Sequence, residues 1–254
     1  MNWVACYTLL RKEVTRWVKV WLQTVLAPVV TALLYLLVFG HVLEGRVEVF
    51  EGVSYSQFLI PGLLMMAVIQ NAFANTSSSL IQAKVMGSIV FVLLPPFSAL
   101  EMFLAYIGAA VLRGLAVGLG VFILAIFYTQ VPIDNFFIIL IFAILGSYTM
   151  GALGLIAGMW AEKFDQIAAF QSFLIVPLTF LSGVFYSISS LPDFWFSVSK
   201  WNPFFYMIDG FRFGFFGQSD QPVMISFVAM LCAAGVLTLI CVWMFKSGYK
   251  LRDA

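Results

Sequence analysis

The chain has 254 residues; 10% are Asp, Glu, Lys or Arg and 63% are Ala, Val, Ile, Leu, Met, Phe, Trp, Tyr or Cys. A soluble protein of this length must place charge on the outer face of every helix, and this composition excludes that. The net charge of +1 says nothing about partners, and no nucleic-acid partner is expected; the distribution of charge is what carries information.

Taken in chain order, the first element is an amphipathic helix over 1–19. Trp3, Tyr7, Leu10, Val14, Trp17 and Trp21 recur at spacings of three and four, while Thr8, Lys12, Thr15 and Lys19 fall on another face. That pattern predicts a helix lying along a membrane surface with aromatic anchors. Five uncharged stretches of at least twenty-four residues follow: Val20–Leu43, Gly52–Ala83, Asn135–Ala161, Gln166–Pro192 and Gln221–Phe245. About 20 apolar residues cross the hydrocarbon core, so each is long enough. The first exceeds a secretory h-region of roughly 7–15 residues and lacks a small-residue cleavage site after it, so it reads as a retained span.

A sixth span comes from Met102–Ile133, which is apolar except for Arg113. The predicted spans are 21–42, 57–81, 100–128, 135–160, 166–186 and 222–245. Between the second and third, Val85–Leu100 carries Pro95-Pro96. Two missing backbone donors are costly in lipid, so this piece reads as a loop with a short helix. Gly114 and Gly118 on the third span, and Gly151, Gly154 and Gly158 on the fourth, have the spacing that lets helix backbones approach closely, whether within or between chains. Arg113 must face protein or a watery cavity, since a charge near the midplane costs at least about 2.5 kcal/mol. The third and fourth spans meet in a tight turn around Pro132.

From Phe194 to Phe216 the loop between spans five and six has eleven aromatic residues interspersed with Asp193, Lys200, Asn202, Pro203, Asp209 and Arg212. It is too charged to span and too aromatic to be free in water. The prediction is a pair of short re-entrant helices within 187–220, overlapping in character with an interfacial aromatic belt. The fold class expected is an all-α integral membrane protein, a single transmembrane domain over 1–254 with six transmembrane helices.

Six spans place both termini on one side. That side then holds Arg11, Lys12, Arg16, Lys19, Lys84, Lys163, Lys246, Lys250 and Arg252, against Arg46, Lys200 and Arg212 on the other. The excess makes the termini cytoplasmic. Glu44, Glu48, Glu51, Asp134, Asp193, Asp209 and Asp220 collect on the outer side.

Several chemistries lack candidates. His41 is the single histidine, so one chain has no His-based triad or multi-His metal site. Cys6, Cys232 and Cys241 have no metal-ligand spacing, and neither a metal nor a cofactor is expected. No GxxxxGK[ST] phosphate loop, HExxH or GxSxG occurs, and no intramembrane chain of acidic residues or histidines could relay protons. The chain is not read as an enzyme. A membrane subunit driven by another protein fits best; an ATP-independent channel or secondary carrier and an assembly factor are the alternatives.

Specific residues sharpen this. Leu181-Ser182-Gly183-Val184-Phe185-Tyr186, then Leu191-Pro192, Asn202-Pro203 and Asp209-Gly210-Phe211-Arg212, resemble the C-terminal signature of type-2 permeases of ATP-binding-cassette transporters. Phe58-Leu59-Ile60-Pro61-Gly62-Leu63-Leu64 is similar to the start of that family's second span, and Met86-Gly87-Ser88 with Leu93-Leu94-Pro95 to its first cytoplasmic loop. The resemblance covers essentially the whole chain. It implies a homodimer bound to two copies of a cytoplasmic ATP-binding-cassette ATPase, surrounded by membrane lipids and exporting its substrate. The coupling segment would be 84–96, with Lys84, Met86, Gly87, Ser88, Ile89, Phe91, Leu94 and Pro95, and a minor contact at Glu162 and Lys163. The family's usual acidic residue in this segment is replaced here by Val90. The first and fifth spans of the two copies would line the path, through Phe173, Leu174, Pro177, Phe180 and Leu181. Those residues are apolar, which points to an amphipathic or apolar cargo such as a lipid, a lipid-linked glycan or a drug. Asn202, Pro203, Asp209 and Arg212 form the outer signature.

Overall fold

Local sequence sets where most helices begin. The computed structural model describes residues 3–43, 49–50, 52–94, 96 and 98–251. Pro95 and the charged residues Glu44, Arg46, Glu48, Glu51 and Arg252 used above lie outside them. Helix α1 (Trp3–Val18) leads into α2 (Leu22–Leu43), whose first turns, Leu22–Leu26, are π-helical. Helix α3 (Tyr55–Val85) opens on a capping box: Gln57 N donates to Ser54 Oγ at 3.3 Å and Ser54 N to Gln57 Oε1 at 3.1 Å. After the short α4 (Ile89–Leu93), α5 (Ala99–Tyr128) starts on a second box formed by Ser98 and Glu101. Asn135 caps α6 (Phe136–Trp160), accepting from Ile138 N at 3.2 Å. Then come α7 (Phe164–Phe180), α8 (Asp193–Trp201), α9 (Pro203–Phe216) and α10 (Val223–Ser247). Among the described residues the extended pairing is one isolated bridge, Phe50 with Val53.

Five of these helices, α2, α3, α5, α6 and α10, are long and apolar enough to cross a membrane. The predicted fifth span, 166–186, is the exception. Its helix stops at Phe180 after seventeen residues, about 25 Å at 1.5 Å per residue, against a hydrocarbon core of about 30 Å. An apolar run cannot show this stop, because what ends the helix comes from elsewhere in the chain. Asn202 Nδ2 donates to Leu178 O at 2.6 Å, Ser199 Oγ to Leu181 O at 3.1 Å and Tyr186 Oη to Phe180 O at 3.1 Å. The carbonyls released by the break are thereby paired, as a helix end away from water requires.

Helix α3 forms the axis of the bundle, buried along most of its length, while α2 and α10 turn most of their surface outward. The glycine stripes are used inside the chain. A Cβ at Gly118 would lie 2.7 Å from Val68 Cγ2, one at Gly158 2.9 Å from Leu80 Cβ, and one at Gly154 would run into Thr76 and the Phe73 carbonyl. All four neighbours belong to α3. Thr76 Oγ1 then donates to Gly151 O at 2.8 Å across the α3–α6 contact. Small residues thus bring α5 and α6 against the backbone of α3.

Helix α1 packs across α3 and α5. Its inward residues are Leu9, Glu13 and Trp17, while Trp3 and Tyr7 remain exposed. Lys250, just past α10, pairs with Glu162 between α6 and α7 at 2.6 Å. Arg16 of α1 reaches Asn75 and Ser78 in the second half of α3. Both described termini therefore lie at one end of the bundle, called here the basic end. The turn at Gln130–Asn135, α9 and the start of α10 form the far end, where Asn135 N donates to Gly214 O at 2.8 Å.

Candidate functional site

Three regions carry the residues singled out from sequence. The first is the segment between α3 and α5 at the basic end. Lys84 closes α3, buried, with its ammonium donating to Met159 O at 2.9 Å and Ala161 O at 2.5 Å. Those carbonyls are at the end of α6, so Lys84 ties the two helices together as a cation at a helix C-terminus does. Gly87 has φ +67° with open space around it, and the chain reverses there into α4. Within α4 the apolar run divides by helical spacing. Ile89 and Val92 face inward, joining Leu80, Ala83 and Phe103 in a core cluster. Met86, Val90, Phe91 and Leu94 face outward; Met86 is 68%, Phe91 75% and Leu94 70% exposed. Ser88 is half-buried, its Oγ 3.4 Å from Ala83 O. Glu162 and Lys163 stand exposed beyond α6, and the bond from Lys250 holds the Glu162 carboxyl below its usual range.

The second region is the far-end signature, and all of it but Pro203 is buried. Asn202 Oδ1 accepts from Phe204 N at 3.0 Å to start α9, with Pro203 at its first position, while its amide nitrogen reaches Leu178 O and Ser182 Oγ. Asp209 accepts from Asp220 N at 2.7 Å, Gln221 N at 3.2 Å and Ser226 Oγ at 3.5 Å, which joins α9 to the start of α10. Arg212 is 1% exposed. Its Nη2 donates to Gly183 O at 2.8 Å, and its guanidinium lies over the Phe58 ring at 3.8 Å. Gly62 of α3 leaves room for this, since a Cβ there would stand 2.6 Å from Val184 O. The signature residues therefore hold α9 against α3 and against the broken end of α7. The predicted pair of short helices differs in its two members: α9 is buried, whereas Phe194, Trp195 and Trp201 of α8 are exposed.

Phe173, Leu174, Pro177, Phe180 and Leu181 share one outward face of α7, all exposed except the half-buried Leu181, while Ile175 and Thr179 point inward. Phe185, just beyond, packs on Phe180 at 5.3 Å and on Tyr35 and Phe39 of α2 at 5.8 and 5.0 Å. The far-end halves of α2 and α7 are neighbours through this ring.

Other polar contacts were not evident from sequence. Arg113 donates to Asn71 Oδ1 at 3.1 Å. Glu13, fully buried, accepts from Arg16 Nε at 3.1 Å, and its second oxygen has the Lys12 ammonium at 3.4 Å. The available signal was the pair Asn71 and Asn75, one turn apart inside an uncharged run and matched by Arg113 in the next span. Glu13 gave none, because a carboxylate on an interfacial helix normally faces water.

A family model for the ABC-2 type transporter matches residues 4–216. The chain belongs to that family. It is 37% identical over 253 residues to the inner membrane transport permease YadH of Escherichia coli (strain K12), covering 100% of this chain and 99% of that protein. It is also 24% identical to nodulation protein J of Rhizobium meliloti (strain 1021), covering 92% and 89%. A third relative, nodulation protein J of Rhizobium leguminosarum bv. trifolii, is 26% identical over 84% of this chain and 80% of its own length. As an ABC-2 member the chain is a multi-pass inner-membrane permease, the transmembrane subunit of an ABC transporter, in a family typically paired with an ATP-binding-cassette subunit. The family match ends at Phe216, so the contacts of Asp209 with Asp220, Gln221 and Ser226 join the matched region to α10 beyond it.

Proposed function

We propose that this permease is the membrane half of an ATP-driven exporter, working as a homodimer with two cytoplasmic ATPase subunits. The observation that carries the reading is the outward apolar surface of Met86, Val90, Phe91 and Leu94 at the basic end. Basic residues concentrate at that end, so it faces the cytoplasm under the positive-inside rule. An exposed apolar patch in that position serves as a protein contact. Lys84 and Ile89 support the segment from inside, and Glu162 and Lys163 extend the contact. Because Lys84 joins α3 to α6, a push on α4 reaches two helices at once.

Six crossings are part of the proposal. Helix α7 enters from the basic end, breaks at Phe180, and α8 with the buried α9 completes the layer before α10 returns. The outward face of Phe173, Leu174, Pro177 and Phe180, next to α2, lines the path with its counterpart on a second copy, and α8 and α9 form the re-entrant outer segment. An amphipathic or apolar cargo moving outward suits that apolar face.

Mild-detergent purification of the full chain from its native host tests the engine directly. An ATP-binding-cassette ATPase co-purifies, and its hydrolysis rises with the cognate lipid or drug. Gradient-driven transport by proteoliposomes containing this chain alone would instead establish a carrier.

A further inference from the structure

Seen along α3, Asn71 and Asn75 lie one helical turn apart, about 6 Å along the axis, and each has an arginine on its side-chain oxygen. Arg113 of α5 donates from Nη2 to Asn71 Oδ1 at 3.1 Å; Arg16 of α1 donates from Nη2 to Asn75 Oδ1 at 3.1 Å and to Asn75 O at 2.7 Å. With the asparagine oxygens taken, and apart from Glu13 Oε1, which faces the Lys12 ammonium at 3.4 Å without a hydrogen bond, what the junction still offers is mostly donors. Arg113 Nε, Asn75 Nδ2 and the Trp17 indole N–H are buried without a protein partner. Asn75 is fully buried, and Arg113 and Trp17 are each 8% exposed.

The charge inventory points the same way. From α1 come Lys12, Arg16 and Glu13, from α5 Arg113, and from this part of α3 only amides and hydroxyls. Glu101 sits in the capping box that opens α5, three turns before Arg113. One carboxylate therefore answers three cations, and it is already bound to Arg16 and Lys12. Neutral Asn71 is the hydrogen-bond partner of a guanidinium placed inside a span. A buried cation with surplus donors around it is completed by a ligand that only accepts hydrogen bonds and carries negative charge.

We propose that the α1–α3–α5 junction binds the phosphate of a lipid headgroup, held by the Arg113 guanidinium and the Asn75 amide in the positive field of Arg16. Depth selects a lipid over a free ion. Helix α1 is the surface helix, its Trp3 and Tyr7 exposed as anchors, and Arg16 lies on it. The Arg113 side chain leans back toward the start of α5 and so toward that surface. A headgroup at the level of α1 reaches the arginine while its chains stay in the bilayer. This site needs only the membrane placement of the chain and not the ATP-driven reading, so either can fail alone.

The test is a titration of the purified full-length protein in detergent with short-chain phosphatidic acid, followed by melting temperature and tryptophan fluorescence. The matching neutral diacylglycerol and inorganic phosphate are titrated in parallel. Phosphatidic acid stabilises the wild type saturably and diacylglycerol does not. R113Q weakens the apparent affinity by about tenfold or more, the scale of one lost charge-assisted bond. R113K falls between, and W17F, which removes the indole N–H, weakens it less. R11Q, at an exposed arginine of the same helix, leaves affinity unchanged. If R113Q does not fold, R113K and W17F decide. Equal stabilisation by diacylglycerol, unchanged affinity in the Arg113 variants, or an equal loss in R11Q overturns the site. Inorganic phosphate binding as tightly as the lipid overturns the headgroup as its source.

Discussion

Arg212 and Phe91 stand at opposite ends of one bundle in opposite circumstances. The arginine is buried at the far end, bonded to the carbonyl where α7 breaks and stacked on Phe58. The phenylalanine projects from α4 at the basic end, three-quarters exposed. A soluble protein would reverse the two. Charge buried where the backbone is irregular is scaffold, because broken helices release carbonyls that need donors. Apolar surface left outward on a short segment is what the proposed ATPase contact uses, since two inward residues, Ile89 and Val92, are enough to hold α4 in place.

The largest effect on folding comes from the far end. Arg212→Ala leaves the Gly183 carbonyl unpaired and removes the Phe58 contact, costing about 3 kcal/mol or more. Thermal unfolding followed by size exclusion should show loss of the monodisperse peak, and an unaltered melting temperature would erase the scaffold side of the contrast. Next is Gly154→Leu, which forces α6 away from Thr76 and Phe73 and costs roughly 1–3 kcal/mol by overpacking. It should lower the melting temperature without touching the basic end. The double substitution Phe91→Ala with Leu94→Ala is the sharpest test of the other side. Stability stays within about 0.5 kcal/mol, while affinity for the partner ATPase drops by about 2 kcal/mol, near thirtyfold, as loss of an interface anchor does. Equal affinity in a pull-down titration would remove α4 as the contact. Gly87→Ala is smaller, about 1 kcal/mol of left-handed backbone strain at a position with open space around it. For the same reason a bulky residue at Gly87 confuses strain with lost contact and makes a poorer probe than Phe91. Last, Glu162→Gln releases the exposed Lys250 pair and should leave the melting curve unchanged, since solvent screens it.

Much of this was legible in the chain itself. Long apolar runs located the five long helices to within a few residues, as at 100–128, with its single Arg113, against Ala99–Tyr128 and 135–160 against Phe136–Trp160. A diproline in an apolar stretch marked the break between α3 and α5. The glycine spacing announced close packing, but whether within the chain or between copies was settled by Val68, Thr76 and Leu80 lying against those glycines. The motif Asn202-Pro203 with Asp209 and Arg212 was visible as a motif, yet its work, which is to end one helix and seat another, was not.

Composition and periodicity alone made this an all-helical membrane protein with its basic residues unevenly shared, because hydrocarbon admits few other spanning structures. Tertiary structure alone decided that the fifth apolar run stops at Phe180, that Lys84 joins two helices and that Arg113 meets an asparagine. In each case the deciding partner lies far away in sequence: Asn202 for Leu178, Met159 for Lys84, Asn71 for Arg113. A residue's own neighbours in the chain set its solvent. Its distant neighbours set what it is bonded to once water is gone.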